Sequence, residues 1–192
     1  MKKLNIFEFT LVLGGVSDET ENLEDQLFEA SCDDALINFR YGTVYLDFSR
    51  EAESFEEAVI TAIKLIEHSK LNATVVRILP DELVNEADIA KRLDKSRQVV
   101  SLWVKKQRRQ NNPFPGPIFK LSEKSPLWRW YDVVKWLYKQ HLIKDSETVE
   151  TANFIESINA ILRERDNTVR EYRHRILNRL IEENSTIKYQ SL

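Results

Sequence analysis

Near the middle of the chain, Asn111-Asn112-Pro113-Phe114-Pro115-Gly116-Pro117 cannot be helix. Each proline lacks a backbone donor and biases the residue before it towards extended backbone. The segment separates two stretches of different character. Ahead of it, strand-like and helix-like apolar periods alternate. Beyond Pro126 there is neither glycine nor proline, and helix is expected from about Ser146 to Asn184, with the last eight residues frayed.

The first stretch predicts six elements. Leu4–Leu13 is a run of β-branched and aromatic residues ended by Gly14-Gly15, and Leu23–Ala30 has helical spacing. Ala35–Arg40 and Thr43–Phe48 flank Tyr41-Gly42 as a hairpin. Ser54 and Glu57 form a capping-box pattern ahead of a helix through Phe55, Ala58, Val59, Ala62, Ile63 and Ile66. Ala73–Leu79 is a last strand, stopped by Pro80. The order β-α-β-β-α-β matches a ferredoxin-like unit, a fold that hosts sensors, dimerisation modules, RNA binders and enzymes alike. The expected class is α+β: a ferredoxin-like domain over 1–82, a DNA-binding domain over 83–142 and a helical segment over 143–192.

The charge of the chain, −3 overall, conceals a partition. Residues 1–82 hold 7 basic and 17 acidic side chains, net −10, whereas residues 83–141 hold 13 basic and 5 acidic, net +8. The remainder is nearly balanced, with 8 basic and 9 acidic. Such asymmetry suggests a nucleic-acid-binding segment beside an acidic neighbour. A salt-bridged fold with uneven surface charge would give the same numbers.

The best-defined motif is Asn85–Lys106 (NEADIAKRLDKSRQVVSLWVKK). Asn85 can cap a first helix over Asn85–Leu93, and Ser96 a second over Arg97–Lys106. Ala90 supplies the small residue where two steeply crossing helices meet. Asp94 occupies a turn position that often takes left-handed dihedrals. Ile89, Leu93, Val100 and Trp103 form the apolar interior. The opposite face of the second helix carries Ser96, Arg97, Gln98, Ser101 and Lys105. Arginine pairs bidentately with guanine, and glutamine with adenine, in the major groove. Ser96 marks a helix N-terminus that can approach a phosphate. Lys105, Lys106, Arg108 and Arg109 would neutralise backbone phosphates, or simply complement the negative end of the helix. Small helical hairpins of this kind also occur in plain protein cores.

Around this motif the sequence resembles the winged helix-turn-helix domains of the MerR and AlpA/excisionase-like group, over about residues 83–141. The resemblance rests on Glu86–Ala90, Ser96–Ser101, Phe114-Pro115-Gly116-Pro117 and Leu127–Leu137. Asp94 replaces the usual glycine and Lys95 the usual apolar residue. The resemblance implies that the second helix enters the major groove, with Arg97, Gln98 and Ser101 near the bases. It also implies a β-hairpin wing contacting DNA through Lys120, Lys124 and Arg129. Ile118–Leu121 and Leu127–Trp130 read as the two wing strands around Ser122–Pro126, and Tyr131–Leu142 as a packing helix. All four tryptophans fall in this third of the chain. Aromatics among cations can stack on single-stranded bases, but the spacing of Trp103 and Trp136 places them on apolar stripes. Trp128 and Trp130 alternate on one strand face and can pack as well.

In the last stretch, Ile155, Ile158, Leu162, Arg165, Val169, Tyr172 and Ile176 step by 3 and 4, a heptad seam interrupted by Arg165. Ile155, Ile158, Leu162, Val169, Tyr172 and Ile176 are the expected oligomerisation residues. Asp166-Asn167 could break the segment into two helices, and an amphipathic helix lying on its own domain is the alternative.

Other chemistry has little to stand on. No Walker A or GxGxxG pattern occurs, and His68, His141 and His174 lack metal-ligand spacing. No cofactor, metal site or catalytic constellation is expected. Asp33-Asp34 and Asp47 read as solvated loop carboxylates, and these acids beside Cys32, the only cysteine, argue against a reactive thiolate. A single cysteine and the lack of any signal-like or bilayer-length apolar run suggest a cytoplasmic, nucleoid-associated protein. The expected function is that of a sequence-specific double-stranded DNA-binding protein, a prokaryotic transcriptional regulator acting as a homodimer. The alternative is an antitoxin-like or defence-associated adaptor that holds a protein partner through its acidic domain or C-terminal helix. An enzyme built on the first domain would need a pocket with convergent polar groups.

Overall fold

The structure, a computed structural model, describes residues 3–108, 111–165 and 167–189. The described residues form an α+β protein with a four-stranded antiparallel sheet and seven helices. None of these helices is long and apolar enough to cross a membrane.

The first six elements are β1 (Asn5–Gly14), α1 (Leu23–Glu29), β2 (Ala35–Arg40), β3 (Thr43–Ala52), α2 (Phe55–Glu67) and β4 (Thr74–Leu79). Strand order is β2-β3-β1-β4, with every pair antiparallel. Tyr41 and Gly42 both have positive φ, 53° and 74°, as a two-residue turn matching the twist of its strands requires. Ser54 Oγ accepts the Glu57 N–H, so the predicted cap forms, but the Glu57 carboxylate accepts the N–H of Glu53, one residue ahead of the cap, rather than that of Ser54, and the box is not closed reciprocally.

Alternation along β1 and β3 sends Phe9, Leu11, Leu13, Val44, Leu46 and Phe48 to one face of the sheet. There they meet Leu23 and Leu27 of α1 and Ala58, Val59, Ala62, Ile63 and Ile66 of α2. Each large side chain buried here contributes about 1.5–3 kcal/mol of transfer free energy. Among the described residues, no helix packs across the other face of the sheet. That face presents Thr10, Asn38 and Asp47, the Asp47 carboxylate accepting from Thr10 Oγ1 at 2.5 Å and Asn38 Nδ2 at 2.8 Å. Ile6, Leu36 and Val76 stand exposed among them.

Beyond β4 come β5 (Leu83–Val84), α3 (Glu86–Arg92), α4 (Arg97–Val104), β6 (Trp128–Arg129) and α5 (Trp130–Lys139). The strand pairing differs from the expected hairpin. Phe119 and Leu127 form a single bridge, while Trp128–Arg129 pairs with Leu83–Val84. Trp128 is committed to a core rather than to a freestanding wing, and its pairing partner is the chain entering α3.

Two further helices follow, α6 (Glu147–Glu164) and α7 (Asn167–Tyr189). α6 joins both cores: Ala152 packs with α5 and the tryptophans, whereas Ile155 and Leu162 pack with the sheet core. The expected oligomerisation seam is therefore split. Ile155 and Leu162 are buried within their own chain and Ile158 is partly buried there, because α6 covers the otherwise open edge of β4. Arg165, the interruption in the seam, pairs with Glu67 of α2. Val169, Tyr172 and Ile176, by contrast, stand exposed on α7.

Glu82 ties the parts together. Its carbonyl accepts the Trp130 N–H at 2.7 Å, and its carboxylate takes Arg77, Asn159 and Arg163.

Candidate nucleic-acid interface

Asn85 Oδ1 accepts the N–H groups of Ala87 and Asp88, and Asp88 returns a bond to the Asn85 N–H, closing the first turn of α3. The helix ends at a turn in which Asp94 has φ 49°, the left-handed geometry expected at this position. Ser96 Oγ then accepts the Val99 N–H at the start of α4. Ala90, 4% exposed, lies where α3 and α4 meet. α4 stops at Val104, two residues earlier than its spacing predicts, and Lys106 turns left-handed at φ 56°.

The base of this unit is aromatic. The Trp103 and Trp136 ring centroids lie 5.6 Å apart, and Phe114 stands edge-on to Trp136 at 5.0 Å. Trp128 Nε1 donates to the Pro115 carbonyl at 2.9 Å, and Trp136 Nε1 to the Asn112 carbonyl at 3.0 Å. These bonds fix the proline segment by its carbonyls, the backbone groups that flank residues unable to donate. Trp103, Trp128 and Trp136 are buried, so none of the three offers a face for base stacking. Trp130 is half-buried with the Arg92 guanidinium 4.9 Å from its ring centroid. Burial pushes Arg92 below its ordinary value, against the opposing charges of Asp81 and Asp88.

The outward face of α4 presents Arg97 and Gln98 exposed and Ser101 half-buried, with Ser96 exposed at the N-terminus. The first turn of α4 holds no acidic residue. Lys105, Lys106 and Arg108 follow in exposed backbone just past the helix. Arg109 lies outside the described residues. Ser96, Arg97, Gln98, Ser101 and Lys105 thus follow the outward face of α4, with Lys106 and Arg108 exposed past its end. The cations Lys91 and Lys95 are also exposed, just before α4. Reading only the second helix misses these two, although both belong to the motif quoted for it.

The expected wing residues fare differently. Lys120 pairs with Glu123 at 3.3 Å, and Lys124 is exposed in the same turn. Arg129 does not join them. It sits on β6 and pairs with Glu156 of α6, so its charge is spent within the chain.

No family model, curated protein or solved structure matches this chain.

Elsewhere, Arg50 forms a two-pronged pair with Asp34, Nε and Nη2 each donating at 2.7 Å, and Nη2 also reaches the Ser31 carbonyl. Asp34 is thus a partnered carboxylate, not a freely solvated one. The buried Cys32 thiol is pushed up from its ordinary value mainly by burial, with Arg50 opposing and Asp34 and Asp33 adding to the rise. The neighbouring acids noted in the sequence act in the expected direction but are not the largest cause. No group of three or more His, Cys, Asp or Glu side chains among the described residues could hold a metal ion.

Proposed function

We propose that this chain binds double-stranded DNA sequence-specifically and regulates transcription. The observation that carries the reading is the α3–α4 unit. A capped helix presents Arg97, Gln98 and Ser101 outward, followed at once by Lys105, Lys106 and Arg108. The residues nearest the helix start suit base edges and helix-terminal phosphate contact, and the trailing cations suit the phosphate backbone. The bridge between Phe119 and Leu127 supports a short wing-like turn carrying Lys120 and Lys124, in keeping with the resemblance to MerR/AlpA-like winged helix-turn-helix domains. The β2-β3-β1-β4 order with α1 and α2 on one face suits a ferredoxin-like unit. Exposed Val169, Tyr172 and Ile176 on α7 support pairing of two copies, as reading two half-sites requires. The −10 charge of the first 82 residues disfavours indiscriminate contact with DNA.

The test is fluorescence anisotropy of a random duplex over a salt series. Affinity falling steeply with salt is expected; no binding at low salt, or a flat slope, overturns the reading. Selection of bound fragments from random duplexes then gives the site and its symmetry.

A second reading is favoured by one observation: Ile6 and Leu36, 62% and 66% exposed, lie on the helix-free face of the sheet. Here the first domain holds a protein partner and DNA binding serves autoregulation. Co-purification of a stoichiometric heterologous protein supports the adaptor, and recovery of the chain with itself alone opposes it.

A further inference from the structure

Behind α4, opposite its outward face, a cavity of about 610 Å³ opens between the α3–α4 turn and the end of α5. Leu93, Val99, Trp103 and Ile143 form its apolar wall, and Leu142, 38% exposed, also lines it. Its charged lining residues are two cations, Lys95 and Arg108, and no carboxylate lies among its described lining residues. Neither cation makes an ion pair among the described residues. The volume falls in the range of small-molecule sites, and so does the chemistry: an apolar wall with a small number of polar groups to orient the ligand.

We propose that this cavity binds a monocarboxylic acid with an apolar tail or ring. The tail would occupy the wall made by Leu93, Val99, Trp103 and Ile143. The carboxylate would meet Arg108, whose forked donors match its two oxygens, with Lys95 as a second positive charge. A neutral ligand of the same shape would leave both cations without a partner, and an amine would meet like charge.

The site also regulates, a part that rests on the DNA-binding reading. Lys95 and Arg108 flank the ends of α4, where phosphates would be met. A carboxylate bound between them withdraws the same positive charge, so ligand and DNA compete.

The experiment is calorimetric titration of the full chain with octanoate, octanol and octylamine. Octanoate is expected to bind about tenfold more tightly than octanol, equivalent to about 1.4 kcal/mol, and octylamine not at all. Amide NMR shifts on adding octanoate should fall within residues 93–108 and 137–143. Arg108→Ala should erase the preference for octanoate over octanol. Leu142→Glu, a change at a partly exposed position, should abolish octanoate binding while leaving the circular dichroism spectrum intact. Equal affinity for octanoate and octanol overturns the proposal, as does no binding, shifts centred elsewhere, or a preference that survives Arg108→Ala. Release of duplex DNA by octanoate tests the regulatory part. A protein that binds octanoate as expected but never binds DNA refutes the functional reading and leaves the cavity assignment standing.

Discussion

The side-chain amide of Asn159 docks on the main chain of Ile78 as a neighbouring strand would. Its Oδ1 accepts the Ile78 N–H at 2.8 Å, and its Nδ2 donates to the Ile78 carbonyl at 3.0 Å. Asn159 is fully buried on α6, and β4 is an edge strand whose outward groups need partners. One amide therefore closes the edge of the sheet and fixes α6 to it. Asn159→Leu keeps the size and leaves the Ile78 groups buried without partners. We expect a loss of about 2–3 kcal/mol, read as a lower urea midpoint, with faster hydrogen exchange at the Ile78 N–H. An unchanged midpoint would show that water or another group satisfies that edge.

The Arg50–Asp34 pair predicts a second stability effect. Arg50 is 8% exposed, so removing its counter-charge leaves a guanidinium with little access to water. Asp34→Asn should cost about 3 kcal/mol or more. Chemical denaturation of the variant measures this, and a loss below about 1 kcal/mol would mean that the pair is no better than a surface contact.

Cys32 gives the protein an alkaline sensitivity. Its thiol ionises at higher pH folded than its ordinary value of 9.0, chiefly because it is buried. Above pH 9.0 the unfolded chain has lost the proton that the native chain still holds. The stability this group contributes is complete below that value and falls as pH rises through the interval up to the folded value. Cys32→Ala should flatten the decline of melting temperature at alkaline pH. In the native protein at pH 8, iodoacetamide should modify Cys32 far more slowly than in urea.

The two classes of cation on α4 and after it should separate in DNA binding. Arg97→Ala is expected to relax base preference at one position. Arg108→Ala should weaken all duplexes alike and lower the salt slope by about one. Arg129→Ala should leave the slope unchanged, since its charge already lies on Glu156. Equal behaviour of the Arg97 and Arg108 variants would undo their assignment.

Removal of residues 167–192 should separate folding from association. No described residue of α7 belongs to either buried core. The truncated chain should melt within a few degrees of the full chain yet sediment as a monomer, with weakened DNA binding. A full chain that is already monomeric would sink the pairing role of α7.

Local signals in the sequence carry the elements well. The Tyr41-Gly42 turn and the caps at Ser54, Asn85 and Ser96 all act through neighbours a few residues away, so their geometry is legible from spacing. The heptad seam misleads because periodicity reports that a face is apolar, not what covers it. Ile155 and Leu162 share their period with Val169 and Tyr172, yet the first two meet a sheet formed about a hundred residues earlier. Arg129 misleads for a similar reason, since Glu156 lies 27 positions away and no local pattern pairs them. Nor could Asn159 be singled out: its role exists only once β4 has an edge. The cavity behind α4 is equally non-local, because it lies between residues near 95 and near 140.

The four interactions made by Glu82 have a mechanical consequence. The sheet, the start of α5 and α6 meet at this one residue, with no slack of the kind a tether would give. Anything carried on the helix-free face of the sheet would be aimed at a set bearing from the reading helix, rather than trailed behind it.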